Sequence, residues 1–560
     1  MTEQSAPERQ APYAPVTDVV SAVARGVCRD TLHRFHYRDG AAVRSLSLAD
    51  LDAGAVRVAA RLDALGVRAR DRVGVMAPNR IEWVLLDLAA LKLGAVTAAI
   101  EPGRHRPAAM AAELGLRLLF TSDPYEGSGA GAVRDIGQVR AWAFDATGPS
   151  ALPPHPGYDP ADLCAIKQTS GSTGPPKSME VTVASVNQSM AAVQDMFHHG
   201  DGDNLLVFLP LYFLQQRFWI YSALVHGHDV TLADRATAAD TAPVVSPTVI
   251  MGVPGFYEQV RARLEAEGLP GDRAGRGEAI QRALGGRVRY LWTGSAPAGR
   301  QMLHFFNDAG VPLYEGYGLT ETCIVSKNHP GAFRLGSVGR VLPHKWVRFD
   351  KDGVLIVGSS HPLNTRYTSA PPGADERTFL PTGEVRTYDL GHVDEDGFLY
   401  IDGRVDDIVS LSTALNILVP AVEERVRELP GVRDCAIFGD GRPYLAAVLS
   451  PAAGDLDAEA LARDVSKLNR ELRHDQRVYG AVVASEPFSV RNGLLNAQYK
   501  LVRARIGARY AADLEGVYAD HPVCNDGTLA DDTPVLVRTA ATEPRGGQPE
   551  HDEHGKDPQK

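Results

Sequence analysis

Residues 167–177, Lys-Gln-Thr-Ser-Gly-Ser-Thr-Gly-Pro-Pro-Lys, alternate small hydroxyl side chains with glycines and close on Lys177. Backbone N–H groups in such a loop can point inward and wrap a chain of phosphates. It is not a Walker loop, which needs Gly-Lys-Ser/Thr running into a helix; Pro175 and Pro176 forbid that continuation. In isolation an ordinary Gly/Ser turn reads the same way, so the weight falls on what lies downstream. Residues 314–322, Tyr-Glu-Gly-Tyr-Gly-Leu-Thr-Glu-Thr, set an aromatic ring (Tyr317) able to stack on a base just ahead of a hydroxyl (Thr320) and a carboxylate (Glu321). Glu321 suits Mg²⁺, which takes one or two carboxylates and fills its shell with phosphate oxygens; a helix opening at Thr320 is the plainer alternative. Gly294, Ser295, Ala296 and Pro297 end a strand in a small-residue turn against which a flat ring can lie. Asp389 follows a strand and Arg404 ends the next hairpin. An aspartate there can accept both hydroxyls of a ribose, or merely cap a turn. Lys500 is a lone cation in the otherwise neutral run 492–502, with Arg503 following.

The elements that position these residues alternate in type. Helical spacing over 16–29, 49–65 and 81–93 is interleaved with strand patterns at 72–76, 95–100, 116–120 and 141–144. A strand at 204–210 and a helix over 212–225 continue the pattern, and 249–253 and 290–293 are further strands. The alternation predicts α/β architecture, with helices packed around mostly parallel sheets. Near residue 350 the texture turns to hairpins, and a small independent α/β pattern follows a linker at 403–407. The expected organisation is a disordered start (1–15), a large N-terminal domain with a β-hairpin-rich subdomain (16–403), a hinge (404–407), a small mobile α+β domain (408–524) and a disordered tail (525–560).

A chain of 560 residues exceeds one core, and 44% hydrophobic with 23% charged residues is ordinary for a soluble globular protein. A net charge of −11 argues against a nucleic-acid or anionic-membrane partner. Cys28, Cys164, Cys323, Cys435 and Cys524 are odd in number and lack CxxC spacing, which suggests a reducing cytoplasm and no disulfide or zinc framework. The opening residues are polar and proline-rich, unlike a signal peptide. The apolar run 84–100 carries Asp87 and Lys92, so it reads as a buried helix entering a strand rather than a membrane span. His551 and His554 read as residues of a solvated tail.

The phosphate loop, the Tyr-Gly-Leu-Thr-Glu-Thr run, the segments around Asp389 and 403–407, and the late lysine stand in an order that resembles the ANL adenylate-forming superfamily from about residue 20 to 515. Within it the chain is most similar to the long-chain fatty acyl-CoA synthetase branch, through Phe208-Leu209-Pro210-Leu211, Gln216-Arg217, Trp219 and the Asn-Gly-Leu-Leu ahead of Lys500. The resemblance implies an AMP-forming ligase using ATP and Mg²⁺. Thr169, Ser170, Gly171, Ser172, Thr173, Gly174 and Lys177 would hold the β- and γ-phosphates. Gly294, Ser295, Ala296 and Pro297, with Gly316, Tyr317 and Gly318, would frame the adenine. Thr320 would touch the α-phosphate, Glu321 would hold the metal, and Asp389 with Arg404 the ribose. Asp406 would be the hinge and Lys500 the catalytic lysine.

Several positions depart from that pattern. Phe213 stands where a histidine or another gating aromatic is usual, Gln216 where the long-chain branch has a glutamate, and Ser178 where glycine follows the loop lysine. Lys327 adds a cation beside Asn328, near the expected acid pocket. Relatives carry Gly-Glu where this chain has Ala414-Leu415, in the loop that lines the pantetheine path; an added Cβ and a lost carboxylate both disfavour that path. The expected partners are therefore a small-molecule acid and an acceptor that is either CoA or an amine. Fatty acyl- or aryl-CoA synthetases belong to the first kind; diazotases that activate nitrite for an arylamine in antibiotic biosynthesis belong to the second. A non-catalytic nucleotide-binding switch is the alternative outside enzymology.

Overall fold

A computed structural model of the chain describes residues 18–103, 105–125, 131–168, 177–213, 216–360, 364, 366–370, 372–452, 456–496, 499–520 and 533–540. Its packing divides between Val405 and Asp406 into a large and a small unit. The protein is mixed α/β, with the smaller unit at its C-terminal end.

The large unit holds a nine-stranded and a seven-stranded sheet, plus a four-stranded antiparallel sheet, among the described residues. Strands Asn204–Val207, Val249–Gly252, Tyr290–Thr293 and Leu313–Leu319 lie side by side and parallel in the nine-stranded sheet. Parallel strands buried on both faces read as continuous apolar runs, as these largely do. Beyond them Cys323–Lys327 turns back antiparallel on Leu313–Leu319. In the seven-stranded sheet Leu163–Gln168 pairs with Ser178–Thr182, so both ends of the hydroxyl-glycine loop are anchored in one ladder.

The run 84–100 resolves into helix Ile81–Lys92 and strand Val96–Ile100. Its charges are matched inside the protein: Arg217 donates to Asp87 at 2.9 Å, Tyr221 also donates to Asp87, and Lys92 pairs with Asp52 at 2.8 Å. Paired, such charges are tolerable in a core; single ones are not.

Three local expectations are corrected. Residues 141–144 belong to helix Gln138–Phe144, not a strand; Val139 and Ala143, four apart, bury one helical face that the short window concealed. The aromatic helix begins at Arg217 rather than 212. The tail expected to be disordered contributes strand Leu536–Thr539, parallel to Val478–Val483. There Val535 and Val537 join the small unit's core, an alternation too short to register among the surrounding charges and glycines. A hairpin, Arg34–Asp39 with Ala42–Ser47, had no counterpart in the sequence reading.

In the small unit a two-stranded hairpin, Ile408–Ser410 with Asn416–Leu418, precedes a four-stranded sheet. Helices Pro420–Arg427 and Ala458–Asn469 match the expected positions closely, the second capped by Asp457.

Candidate active site

In the large unit, the strand Leu313–Leu319 carries the motif that the sequence singled out. Tyr317 is half-buried, and its hydroxyl donates to Asp389 Oδ2. Arg404 Nη1 donates to Asp389 Oδ1 at 2.9 Å, and Asp389 and Arg404 face each other across the strand pair Val385–Val393 and Leu399–Arg404. The three residues, 72 and 15 positions apart, thus form one polar cluster around a carboxylate that is only 4% exposed. Burial, and then the Asp389 charge, push the Tyr317 hydroxyl well above its ordinary range, so it stays a donor.

Gly316 and Gly318 are needed for close approach. A Cβ on Gly318 would meet the Cys323 carbonyl oxygen at 2.1 Å, and one on Gly316 would meet Trp292 Nε1 at 2.9 Å. Gly294 likewise faces the Gly316 carbonyl, at 3.0 Å from its would-be Cβ. Ser295, Ala296 and Pro297 follow at the surface end of the strand Tyr290–Thr293.

Glu321 Oε1 accepts from the Tyr367 hydroxyl at 2.7 Å, and the backbone carbonyls of Thr320 and Glu321 are tethered by Asn364 Nδ2 at 3.0 and 3.3 Å. Lys177 places its ammonium 4.6 Å from the centre of the Tyr367 ring. Residues 169–174, the rest of the expected phosphate loop, lie outside the described residues. A carboxylate oriented by one hydroxyl, with its neighbours' backbone fixed, fits a hard divalent cation that takes few protein ligands.

Around this segment lie groups that sequence reasoning missed. Lys167, Lys345 and Cys323 are buried together, and the Lys345 ammonium donates to the Thr322 carbonyl. Burial lowers the Lys167 pKa and brings Lys345 down to about 8. Burial alone would raise the Cys323 thiol, but the two lysines, with hydrogen bonds to Ser185 and Ser189, together hold it below its usual range. Tyr367, Asn364 and Lys345 sit in stretches with no recognisable pattern, so no local signal pointed to them.

The acid-pocket candidates divide. Gln216 uses its side chain on backbone: Oε1 accepts from Phe208 and Leu209 N–H at 2.7 and 2.9 Å, and Nε2 donates to the Met251 carbonyl at 2.8 Å. Phe213 is half-buried and tilted against Tyr212. Lys327, the cation that the sequence placed near the expected acid pocket, is fully buried. A cavity of about 20 Å³ lies nearby, lined by residues that include Ser189, Gln194, His199, Trp219, Ser222 and Trp292.

In the small unit, Asn496 closes a tight loop onto Lys500: its backbone N–H donates to the Lys500 carbonyl at 2.9 Å and its Oδ1 accepts from Lys500 N–H at 3.0 Å. Arg503 is tied to Glu423 at 2.6 Å and to Asp407, the neighbour of Asp406, at 3.6 Å. Ala414 stands at φ 62° in the hairpin turn, with Leu415 exposed beside it. Eight described non-glycine residues have positive φ; five of them, Ser295, Cys323, Tyr388, Ala414 and Tyr499, lie within or next to the motifs singled out above. Backbone in that region is costly and tends to collect at functional sites.

Compared with known proteins, residues 26–353 match the AMP-binding enzyme family and residues 406–522 the AMP-binding enzyme C-terminal domain. The chain is an AMP-binding enzyme. Long-chain-fatty-acid–CoA ligase FadD15 of Mycobacterium tuberculosis is 27% identical over 557 residues, covering 83% of this chain and 91% of that protein. A carboxylic acid reductase of the same organism is 26% identical, over 81% of this chain and 44% of that protein. Among solved structures, the O-succinylbenzoate coenzyme A synthetase of Bacillus subtilis in complex with AMP has a TM-score of 0.71 and 21% identity, covering 87% of this chain and 98% of that one. The anthranilate CoA ligase AuaEII in complex with anthranoyl-AMP also gives 0.71, at 20% identity, over 90% and 99%. With its fatty-acid–CoA ligase relatives, this AMP-binding enzyme is an AMP-forming, adenylate-forming ligase. No described helix is long and apolar enough to cross a membrane.

Proposed function

We propose that this ligase activates a compact acid as its AMP anhydride, releasing pyrophosphate from ATP, and passes the activated group to an amine rather than to a thiol. The observation that carries the reading is the cavity of about 20 Å³: it has room for one or two water-sized molecules and not for an acyl chain. Nitrite with an arylamine acceptor, the diazotase form of this chemistry, suits it best. The hairpin at Ala414-Leu415 supports an amine acceptor, because an exposed leucine offers pantetheine no polar partner.

In the first half-reaction an acid oxygen attacks the α-phosphorus and pyrophosphate leaves. Nucleophile and phosphate are both anionic, so the barrier falls as their charge is neutralised where it shifts. Magnesium held at Glu321 would supply part of that neutralisation, and Lys500 the rest, as a donor bridging acid and phosphate. Thr320 would bind the α-phosphate, Lys177 and the loop 169–174 the departing phosphates, and Tyr317 the adenine. Asp389 and Arg404 would take the ribose hydroxyls. In the second half-reaction the amine nitrogen attacks the activated acid and AMP leaves with the bridging oxygen. Asp406 would be the pivot between the two.

The second reading, a fatty acyl- or aryl-CoA ligase, is favoured by the fatty-acid–CoA ligases among the relatives. Pyrophosphate release measured with nitrite, acetate, benzoate and decanoate, each with CoA or an arylamine, separates the two. Release with benzoate or decanoate and thioester formation would overturn the amine reading; release with nitrite or acetate and a nitrogen-linked product supports it.

A further inference from the structure

Lys327 has no counter-charge. It is 1% exposed, and its ammonium has no hydrogen-bond partner and no carboxylate in reach among the described residues. Instead it rests on the face of Trp292, 4.1 Å from the centre of Phe197 and 5.8 Å from that of Tyr290. Aromatic faces attract a cation but replace only part of its lost hydration. Burial accordingly holds this amine well below the usual lysine range.

The other side of this aromatic box is the cavity. Trp292 lines it, and so do His199, Trp219 and Gln194. The Tyr290 hydroxyl is 2.6 Å from His199 Nε2, which leaves Nδ1 buried with no partner. With the tyrosine donating, Nδ1 carries the proton and is a donor. Trp219 Nε1, a donor only, is also buried and unpartnered. Gln194 donates through Nε2 to the His199 carbonyl at 2.8 Å, fixing the imidazole's backbone. Buried polar groups are almost always satisfied. Gln194 Oε1, an acceptor, is buried without a partner as well. With the tautomer just given, the cavity presents two unsatisfied donors and one acceptor, with the Lys327 amine one ring behind; an anion meets both donors and brings the amine its counter-charge.

We infer that Lys327, with Trp219 and His199, forms the anion-selecting site of the acid pocket, and that its ligand is a compact planar oxyanion, nitrite or a one- or two-carbon carboxylate. The inference rests on the reading of this cavity as the acid pocket. The oxyanion accepts from the indole and imidazole N–H groups, while Lys327 supplies the counter-charge through the box; the anion in turn lets the amine keep its proton. A long or bulky acid exceeds the space of about 20 Å³ that Trp219 and Trp292 help to enclose.

Full-length protein is titrated calorimetrically, without ATP, with sodium nitrite, formate, acetate, benzoate and decanoate, and pyrophosphate release is followed with the same acids. The wild type is expected to bind the first group in preference to benzoate and decanoate; nitrite alone, or the short carboxylates alone, identifies the source of the oxyanion. Lys327→Met should weaken compact-anion binding and raise its KM about ten- to hundredfold, leaving KM for ATP unchanged. The same variant should melt no lower than the wild type, since a buried amine without a hydrogen-bond partner gives way to an apolar side chain of similar length. Trp219→Phe, which keeps an aromatic face and removes the N–H, should weaken the same binding by a smaller factor. If compact anions drive turnover and Lys327→Met leaves their KM unchanged, the lysine only packs on its rings: the inference fails and the functional reading stands. If no compact anion binds or drives turnover, both fail.

Discussion

Replacing Ala414 by glycine tests whether the altered hairpin of the small unit stores strain. Ala414 lies at φ 62°, held there by its N–H bond to the Leu411 carbonyl at 3.0 Å and by Leu411 N–H to Leu415 at 2.9 Å. For an L-residue the left-handed region costs about 1–2 kcal/mol, which glycine does not pay. Glycine returns roughly 0.5–1 kcal/mol of that through the greater freedom of its unfolded chain. Ala414 is exposed, so losing its methyl removes little packing. The net expectation is stabilisation by about 0.5–1 kcal/mol. For a unit of this size that corresponds to a rise of about 1–4 °C in the melting transition of the small unit. Calorimetry of the full chain reads it directly, with Ala414→Val as the opposite control, since a branched side chain fits that region worse. An unchanged or lower melting temperature for Ala414→Gly would refute the strain argument. Coenzyme A should still form no thioester in that variant if the exposed Leu415 also blocks the acceptor path; adding Leu415→Glu asks whether a carboxylate restores one.

Three further outcomes are expected. Lys500→Ala should cut pyrophosphate release by about 10²–10³ while ATP binding, measured by calorimetry, stays nearly intact. Asp389→Asn should raise KM for ATP roughly ten- to hundredfold, because the change removes the charge that both Tyr317 and Arg404 meet; an unchanged value would separate Asp389 from the nucleotide. His228 is buried as a neutral ring between Ser222 and the Asp229 carbonyl, and burial lowers its pKa from 6.5 to about 4. The unfolded chain therefore binds more protons than the folded one below pH 6.5, and stability is lost as the pH falls from there toward 4, by at most about 3 kcal/mol from this group. Urea denaturation across that range should show a shallower acid limb in His228→Gln.

Much of the site was legible in local spacing. The run from Tyr314 to Thr322 contains its own chemistry, because ring, hydroxyl and carboxylate fall within a few residues and the glycines between them admit close neighbours. Strands 72–76 and 290–293 and helices near 420 and 458 followed from apolar periodicity, which burial imposes directly. Asp389 and Arg404 were readable as separate candidates, but their meeting with Tyr317 was not: it depends on strand register across 72 residues.

What the tertiary structure alone decided is the pocket. Lys327 was visible as an unexpected cation, yet only packing shows it buried on three rings with no carboxylate beside it among the described residues. Gln216 was readable as a pocket candidate, but that its amide is bonded to three backbone groups was not. Composition and periodicity report which residues leave water. They carry no information about which distant partner each buried polar atom then meets: that Lys327 Nζ, Trp219 Nε1 and His199 Nδ1 meet none among the described residues follows from the packing alone.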